Sequence, residues 1–261
     1  MHVIGLLLVL ESLFMLVPLF VSILYGGEDF YAFLFSSTIT LICGGLLWVF
    51  NQNPEKDIGK REGYLIASLI WVVYSIFGAL PFMISGKIPS FTDAFFETMS
   101  GFTTTGASIL KEVESLPHGI LLWRSMTHLV GGIGILLVSI VVLPVFGTGS
   151  MYLYGAEASS VSTGKLHPKI KDTASRLLWI YLSFTALLTV LLWLGGMNLF
   201  DSICHSFGTI ASGGFSTKNS SLINYSPYIQ YTISVFMIIA AINFNLHYFL
   251  LKGAFKKGFS K

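Results

Sequence analysis

The run Thr103-Thr104-Thr105-Gly106-Ala107-Ser108 brings backbone and hydroxyl oxygens into an otherwise apolar part of the sequence. β-branched residues favour extended backbone, and the glycine supplies a position of positive φ. Oxygens along such strands replace the hydration shell of a dehydrated cation when several strands surround one axis. A second run, Ala211-Ser212-Gly213-Gly214-Phe215-Ser216, follows at an offset of 108 positions and places Gly214 on Gly106 and Ser216 on Ser108. One run alone is as well explained by a turn between helices. Two at matching positions point to a pair of ion-coordinating strands.

Each run must be held by the element before it. Ser90 and Asn198 fall on equivalent N-cap positions, with Asp93 and Asp201 three residues later, a pattern that satisfies free amides at a helix start. Phe91, Phe95, Met99 and Phe102 recur at helical spacing, with Asp93, Glu97 and Ser100 on the opposite face. Short helices ending at both runs are therefore expected. Identity between the copies is low, and they agree where backbone geometry is demanding.

The 261 residues are 54% hydrophobic and 11% charged, with a mean hydropathy of +0.76. That balance indicates an all-α polytopic membrane protein. A net charge of +2 gives no support for nucleic-acid binding. Apolar stretches at 2–24, 30–50, 64–84, 119–143, 177–196 and 228–251 predict six spans, since a crossing takes about 20 helical residues. The first is read as a retained span, because it lacks a basic leader and a clear cleavage site. Three parts follow: a hairpin (1–62), a first pore repeat (63–150), and a loop with a second pore repeat (151–261). Units 90–108 and 198–216 enter between spans and return. Non-helical backbone is tolerated at that depth only inside protein or beside a wet cavity, so the repeated unit itself argues for an ion pathway.

Lys and Arg concentrate in loops 51–63 and 147–176 and in the tail 252–261. The positive-inside rule makes these segments cytoplasmic, and both termini with them. The short helices then point their C-terminal ends, which carry partial negative charge, into the membrane.

Several motifs resemble one family: Thr98–Ser108 (TMSGFTTTGAS), Gly131–Ile135 (GGIGI), Leu166–Thr173 (LHPKIKDT), Phe200–Ser216 (FDSICHSFGTIASGGFS) and Ile242–Tyr248 (INFNLHY). They are similar to the Trk/Ktr/HKT superfamily of potassium transporters, and within it to the bacterial TrkH-type membrane subunit. The resemblance covers essentially the whole chain. It implies potassium uptake through four span–pore helix–span repeats of potassium-channel type, preceded by a helix hairpin, with K+ as the transported ion and no cofactor. It places the filter at Thr104, Thr105, Gly106, Ser212, Gly213 and Gly214. It also implies a homodimer in membrane lipid, gated by a cytoplasmic nucleotide-binding regulatory subunit. This chain carries two repeats where the family pattern has four, so it is expected either to be a truncated half or to complete a pore with a second copy.

Other residues have plainer readings. Glu11 lies midway along its span, where a lone charge is costly and usually functional; the alternative is a protonated carboxyl or one paired at a protein interface, and no partner or transport role is assigned to it. Arg124 is expected to snorkel to the outer surface, with an ion pair to Glu97 as the alternative. His128 and His205 are expected to be hydrogen-bonded structural residues, because no spacing makes them metal ligands. The Gly131–Gly134 cluster suits close helix packing, or a flexible gate. Asn243, Asn245 and His247 either line an inner vestibule or bond between helices. The basic loop with Lys165, Lys169 and Lys171 suits topology and anionic lipid, and by the resemblance the regulatory subunit. Cys43 and Cys204 form no framework. The chain has no Walker or Rossmann fingerprint and no nucleophile–base constellation, so neither nucleotide binding nor enzymatic activity is expected.

Overall fold

The computed structural model describes residues 1–50, 60–146, 166–244 and 246–247. Nine helices carry these residues: α1 (His2–Leu24), α2 (Phe30–Phe50), α3 (Lys60–Gly78), α4 (Leu80–Ile84), α5 (Phe91–Phe102), α6 (His118–Phe146), α7 (Leu166–Leu194), α8 (Leu199–Ile210) and α9 (Pro227–Ala241). No strand occurs among the described residues.

Helices α1 and α2 pair along their length as the expected hairpin, and α1 also packs against α6 and α3. Asp29, at the hairpin turn, docks the pair onto the first repeat. The Ile120 amide, in the first turn of α6, donates to Asp29 Oδ2 at 2.9 Å, and Ser22 Oγ donates to Asp29 Oδ1. A carboxylate there satisfies a free amide and meets the positive end of the helix dipole. One buried apolar cluster, including Leu8, Met15, Phe33, Phe82, Phe102 and Trp123, joins the hairpin to the first repeat. A second, including Tyr181, Leu188, Leu192, Met197 and Ile229, holds α7, α8 and α9 together. Helix α6 packs against both short helices, α5 and α8.

Among the described residues, four helical stretches are long and apolar enough to cross a membrane: His2–Leu24, Phe30–Phe50, His118–Leu136 and Asp172–Leu194. The other two expected spans correspond to shorter apolar helices, Ser68–Ile84 and Pro227–Ala241. The third span is interrupted between α3 and α4, where Pro81 stands at the start of α4 and cannot donate into the preceding turn. Trp123 Nε1 donates to the Gly78 carbonyl at 2.9 Å and so occupies a backbone acceptor at the break. In the last span, helix α9 ends at Ala241, where Ile242 turns extended with ψ 139°.

The basic loop is also shorter than the sequence suggested. Residues 166–176 belong to α7, while 147–165 lie outside the described residues, as do 51–59 and the basic tail.

Candidate functional site

Both expected short helices form, and both are capped as expected. In α5 the Asp93 amide donates to Ser90 Oγ at 3.5 Å. In α8 the Asp201 amide donates to Asn198 Oδ1 at 2.7 Å, and Asn198 Nδ2 returns a bond to Asp201 Oδ2 at 2.6 Å.

Their C-terminal ends match more closely still. At the end of α5, the Thr104 amide donates to Gly101 O (3.0 Å) and the Thr105 amide to Ser100 O (2.9 Å). At the end of α8, the Ser212 amide donates to Thr209 O (3.0 Å) and the Gly213 amide to Gly208 O (2.8 Å). Each is a Schellman motif, whose turning residue takes left-handed backbone and is usually glycine. Here the turning residues are Thr104 (φ 55°) and Ser212 (φ 56°). Two residues on, Gly106 (φ 75°) and Gly214 (φ 108°) are left-handed again, while Thr105 and Gly213 between them are not. The sequence suggested one positive-φ position per run, at the glycine, and the structure has two. A Thr in left-handed backbone is uncommon enough to mark strain, and such strain gathers at functional sites.

The runs approach each other directly. A Cβ built on Gly106 would meet the carbonyl oxygen of Gly213. Thr104 and Ser212 line one cavity of about 270 Å³, together with Gly132, Tyr181, Asn243 and Phe244. The extended Ile242 is what carries Asn243 and Phe244 to that cavity. Asn245 lies outside the described residues, and His247 Nε2 bonds the Ile239 carbonyl at 2.9 Å.

The residues just past both runs are tied by side chains at equivalent places. Ser108 Oγ donates to Glu97 Oε1 at 2.9 Å, and the Ile109 amide donates to Glu97 Oε2 at 3.0 Å. In the second repeat the Glu97 position is held by His205, whose Nε2 lies 3.1 Å from Ser216 Oγ. Its Nδ1 bonds the Asp201 carbonyl at 2.8 Å, and since a carbonyl only accepts, Nδ1 carries the proton and Nε2 accepts from the serine. His205 is thus the structural, bonded residue expected.

Arg124 corrects the expectation that it snorkels. It is 4% exposed, its Nε lies 2.6 Å from Glu97 Oε1, and its Nη1 donates to Ser216 O at 2.8 Å. Its guanidinium also lies 3.8 Å from the centroid of the Phe215 ring, near enough for a cation–π contact. The pull of a buried carboxylate and a free carbonyl outweighs the reach to water that a lone arginine would favour. One guanidinium thereby connects α5, α6 and the far end of the second run.

His128 corrects its expectation as well. It is fully buried, and neither ring nitrogen has a hydrogen-bond partner among the described residues. Its ring stands edge-on to Phe215 with centroids 4.2 Å apart, so Phe215 lies between Arg124 and His128, one turn apart on α6. Glu11 is 1% exposed, and neither of its carboxyl oxygens has a hydrogen-bond partner among the described residues. The Gly131 cluster serves packing: a Cβ on Gly131 would meet the Phe102 carbonyl at the end of α5, and one on Gly132 would meet Tyr181 Oη and Ala211 at the end of α8.

Asp201 organises the opposite end of the second unit. It accepts from Thr217 Oγ1 at 2.6 Å and from Tyr225 Oη at 3.1 Å, with Lys218 Nζ 3.9 Å away. Burial works to raise this carboxyl. The bonds from Thr217, Asn198 and Tyr225, with Lys218 beside them, outweigh burial and hold it below the usual carboxylate range.

A family model of cation transport proteins, TrkH, matches residues 31–258. The chain is 42% identical over 256 residues to the Trk system potassium uptake protein TrkH of Escherichia coli (strain K12), covering 97% of this chain and 53% of that protein. It is 35% identical over 254 residues to the Trk system potassium uptake protein TrkG of the same strain, covering 96% and 52%. The crystal structure of the potassium transporter TrkH from Vibrio parahaemolyticus is similar at a TM-score of 0.87 and 38% identity, covering 99% of this chain and 53% of that one. The chain spans about half the length of the curated relatives it matches.

Proposed function

The chain belongs to the TrkH family of cation transport proteins, and from that premise we propose that it carries potassium across the cytoplasmic membrane through a channel-like filter. The filter residues are Thr104, Thr105 and Gly106 in the first run and Ser212, Gly213 and Gly214 in the second. The observation that carries the reading is the matched backbone: left-handed residues at 104 and 106 and again at 212 and 214, each set following a Schellman-ended helix. Successive carbonyls of an ordinary strand point to opposite sides. Alternating the backbone handedness turns them to one side, where they serve as a ladder of cation ligands. K+ passes along it in single file, with moderate discrimination against Na+.

The two runs supply two contributors. A closed ring takes more, from a second copy related by a two-fold axis or from sequence of the kind that fills the rest of the relatives. The protein sits in membrane lipid as a homodimer with both termini cytoplasmic, and its basic segments receive a nucleotide-binding regulatory subunit of Trk type. The hairpin (1–62) docks on a first pore repeat (63–150), and a loop with a second repeat (151–261) completes the division.

Gly214→Ser tests the assignment. A Cβ there meets nothing within 4 Å, so the substitution acts through backbone handedness rather than collision. Altered K+/Na+ competition or lost flux is expected, and unchanged competition counts against the filter.

A further inference from the structure

We propose that His128 is a specificity-determining positioning residue, a flat wall behind the second filter strand that fixes where Gly213 stands. The proposal rests on the filter assignment above and deepens it.

The two strands differ at two telling places. Where the first has Thr105, the second has Gly213, and where the first has Ala107, the second has Phe215. The structure gives the cause: a Cβ on Gly213 would run into the imidazole of His128, meeting its Cδ2, Nε2 and Cγ. The space a side chain would fill at 213 is already taken by a ring from α6. The same ring stands edge-on to Phe215, 4.2 Å between centroids. His128 therefore touches the strand at two residues, 213 and 215, on either side of the left-handed Gly214.

Among the described residues neither ring nitrogen has a hydrogen-bond partner, and the side chain is fully buried. The contact is thus one of shape rather than of hydrogen bonding, and close-packed surroundings transmit any change in it. The Gly213 carbonyl is in turn the group that faces Gly106 of the first strand. A shift of His128 reaches both strands through this one peptide.

The consequence is a coupled pair. Filling the space at 213 is harmful because His128 is there, and emptying position 128 loosens the carbonyl that the pair defines. Discrimination between K+ and the smaller Na+ is the property most sensitive to such loosening if it depends on how tightly ligand positions are held.

The test is a double-mutant cycle in the full 261-residue chain, with His128→Ala, Gly213→Ala and both together. Thermal unfolding of the purified protein reads the packing directly. Gly213→Ala should lower the melting temperature, and adding His128→Ala should restore part of the loss, a non-additive result. Rb+ uptake with Na+ as competitor reads the function, with membrane insertion checked for each variant. His128→Ala should lower the Na+ concentration that halves uptake by several-fold, and the double variant should transport better than Gly213→Ala alone. A merely structural histidine would lower the amount of protein without changing this ratio. Additive melting shifts, or Na+ competition in inserted His128→Ala equal to that of the unaltered protein, overturn the proposal. Gly106→Ser separates the two levels. If it alters uptake while His128→Ala does not, the filter stands and the role of His128 falls. If Gly106→Ser is silent, the filter assignment falls, and the melting cycle still decides whether His128 and Gly213 are coupled.

Discussion

Arg124 Nε lies 2.6 Å from Glu97 Oε1, inside the protein and between the far ends of the runs 103–108 and 211–216. Glu97 also holds Ser108 and the Ile109 amide beyond the first strand, and Arg124 holds the Ser216 carbonyl beyond the second. The second repeat fills the Glu97 position with His205, which bonds Ser216 as Glu97 bonds Ser108. Both strands are thus anchored past their glycines, and the ion pair joins the anchors.

Removing one member of this pair leaves a buried charge without its counterpart, which costs about 3–5 kcal/mol. Arg124→Met and Glu97→Gln should each lower the thermal unfolding temperature strongly and reduce uptake. The double replacement should be milder than the sum of the two, because it strands no charge. Additive losses in thermal unfolding would show that the two side chains do not act as a unit.

Thr104 and Ser212 occupy left-handed backbone, which costs a residue with a Cβ roughly 1–2 kcal/mol. Replacing either by glycine relieves this and loses roughly 0.5–1 kcal/mol of chain entropy, so stability should hold or rise slightly. Thr105→Gly, at a position without positive φ, should only lose stability. Melting curves of the three variants check the contrast, and equal losses at 104 and 105 would contradict the assigned handedness.

Asp201 sets an acid limit. Although burial opposes it, bonds from Thr217, Asn198 and Tyr225 give the folded protein a lower carboxyl value than the unfolded chain. Its contribution is therefore complete above the unfolded value, about 4, and is lost as pH falls through the lower folded value. The difference in melting temperature between the unaltered protein and Asp201→Asn should be steady near neutrality and shrink in acid. Thr217→Ala should reduce the acid-sensitive component, and a difference that grows in acid would reverse the sign of the account.

What could be read from the sequence followed local rules. The caps at Ser90 and Asn198, the hairpin, and the repeat at an offset of 108 positions rest on residue types a few positions apart. What escaped depends on contacts between distant elements. Arg124 was expected at water because it lies near the end of its span, with Glu97 as the alternative partner; the alternative holds, and the Ser216 carbonyl comes to it from the second repeat. Left-handed Thr104 and Ser212 defy residue preference, and only the paired amide bonds at each helix end reveal them. The glycine at 213 was visible, but its reason, the ring of His128, was not. The single signals available were an arginine, a glutamate and a histidine inside or beside apolar segments, and these mark the site better than the bland readings given to them.

Rb+ uptake should be measured in cells whose own potassium uptake systems are deleted, expressing either the 261-residue chain or its Gly106→Ser variant. The variant places a side chain in left-handed backbone and against the Gly213 carbonyl, so uptake by the unaltered chain should be lost at equal membrane insertion. No uptake from well-inserted unaltered chain would mean that the ring needs sequence of the kind that fills the rest of the relatives, and uptake that survives Gly106→Ser unchanged would contradict the assignment of these strands as the chain's ion pathway.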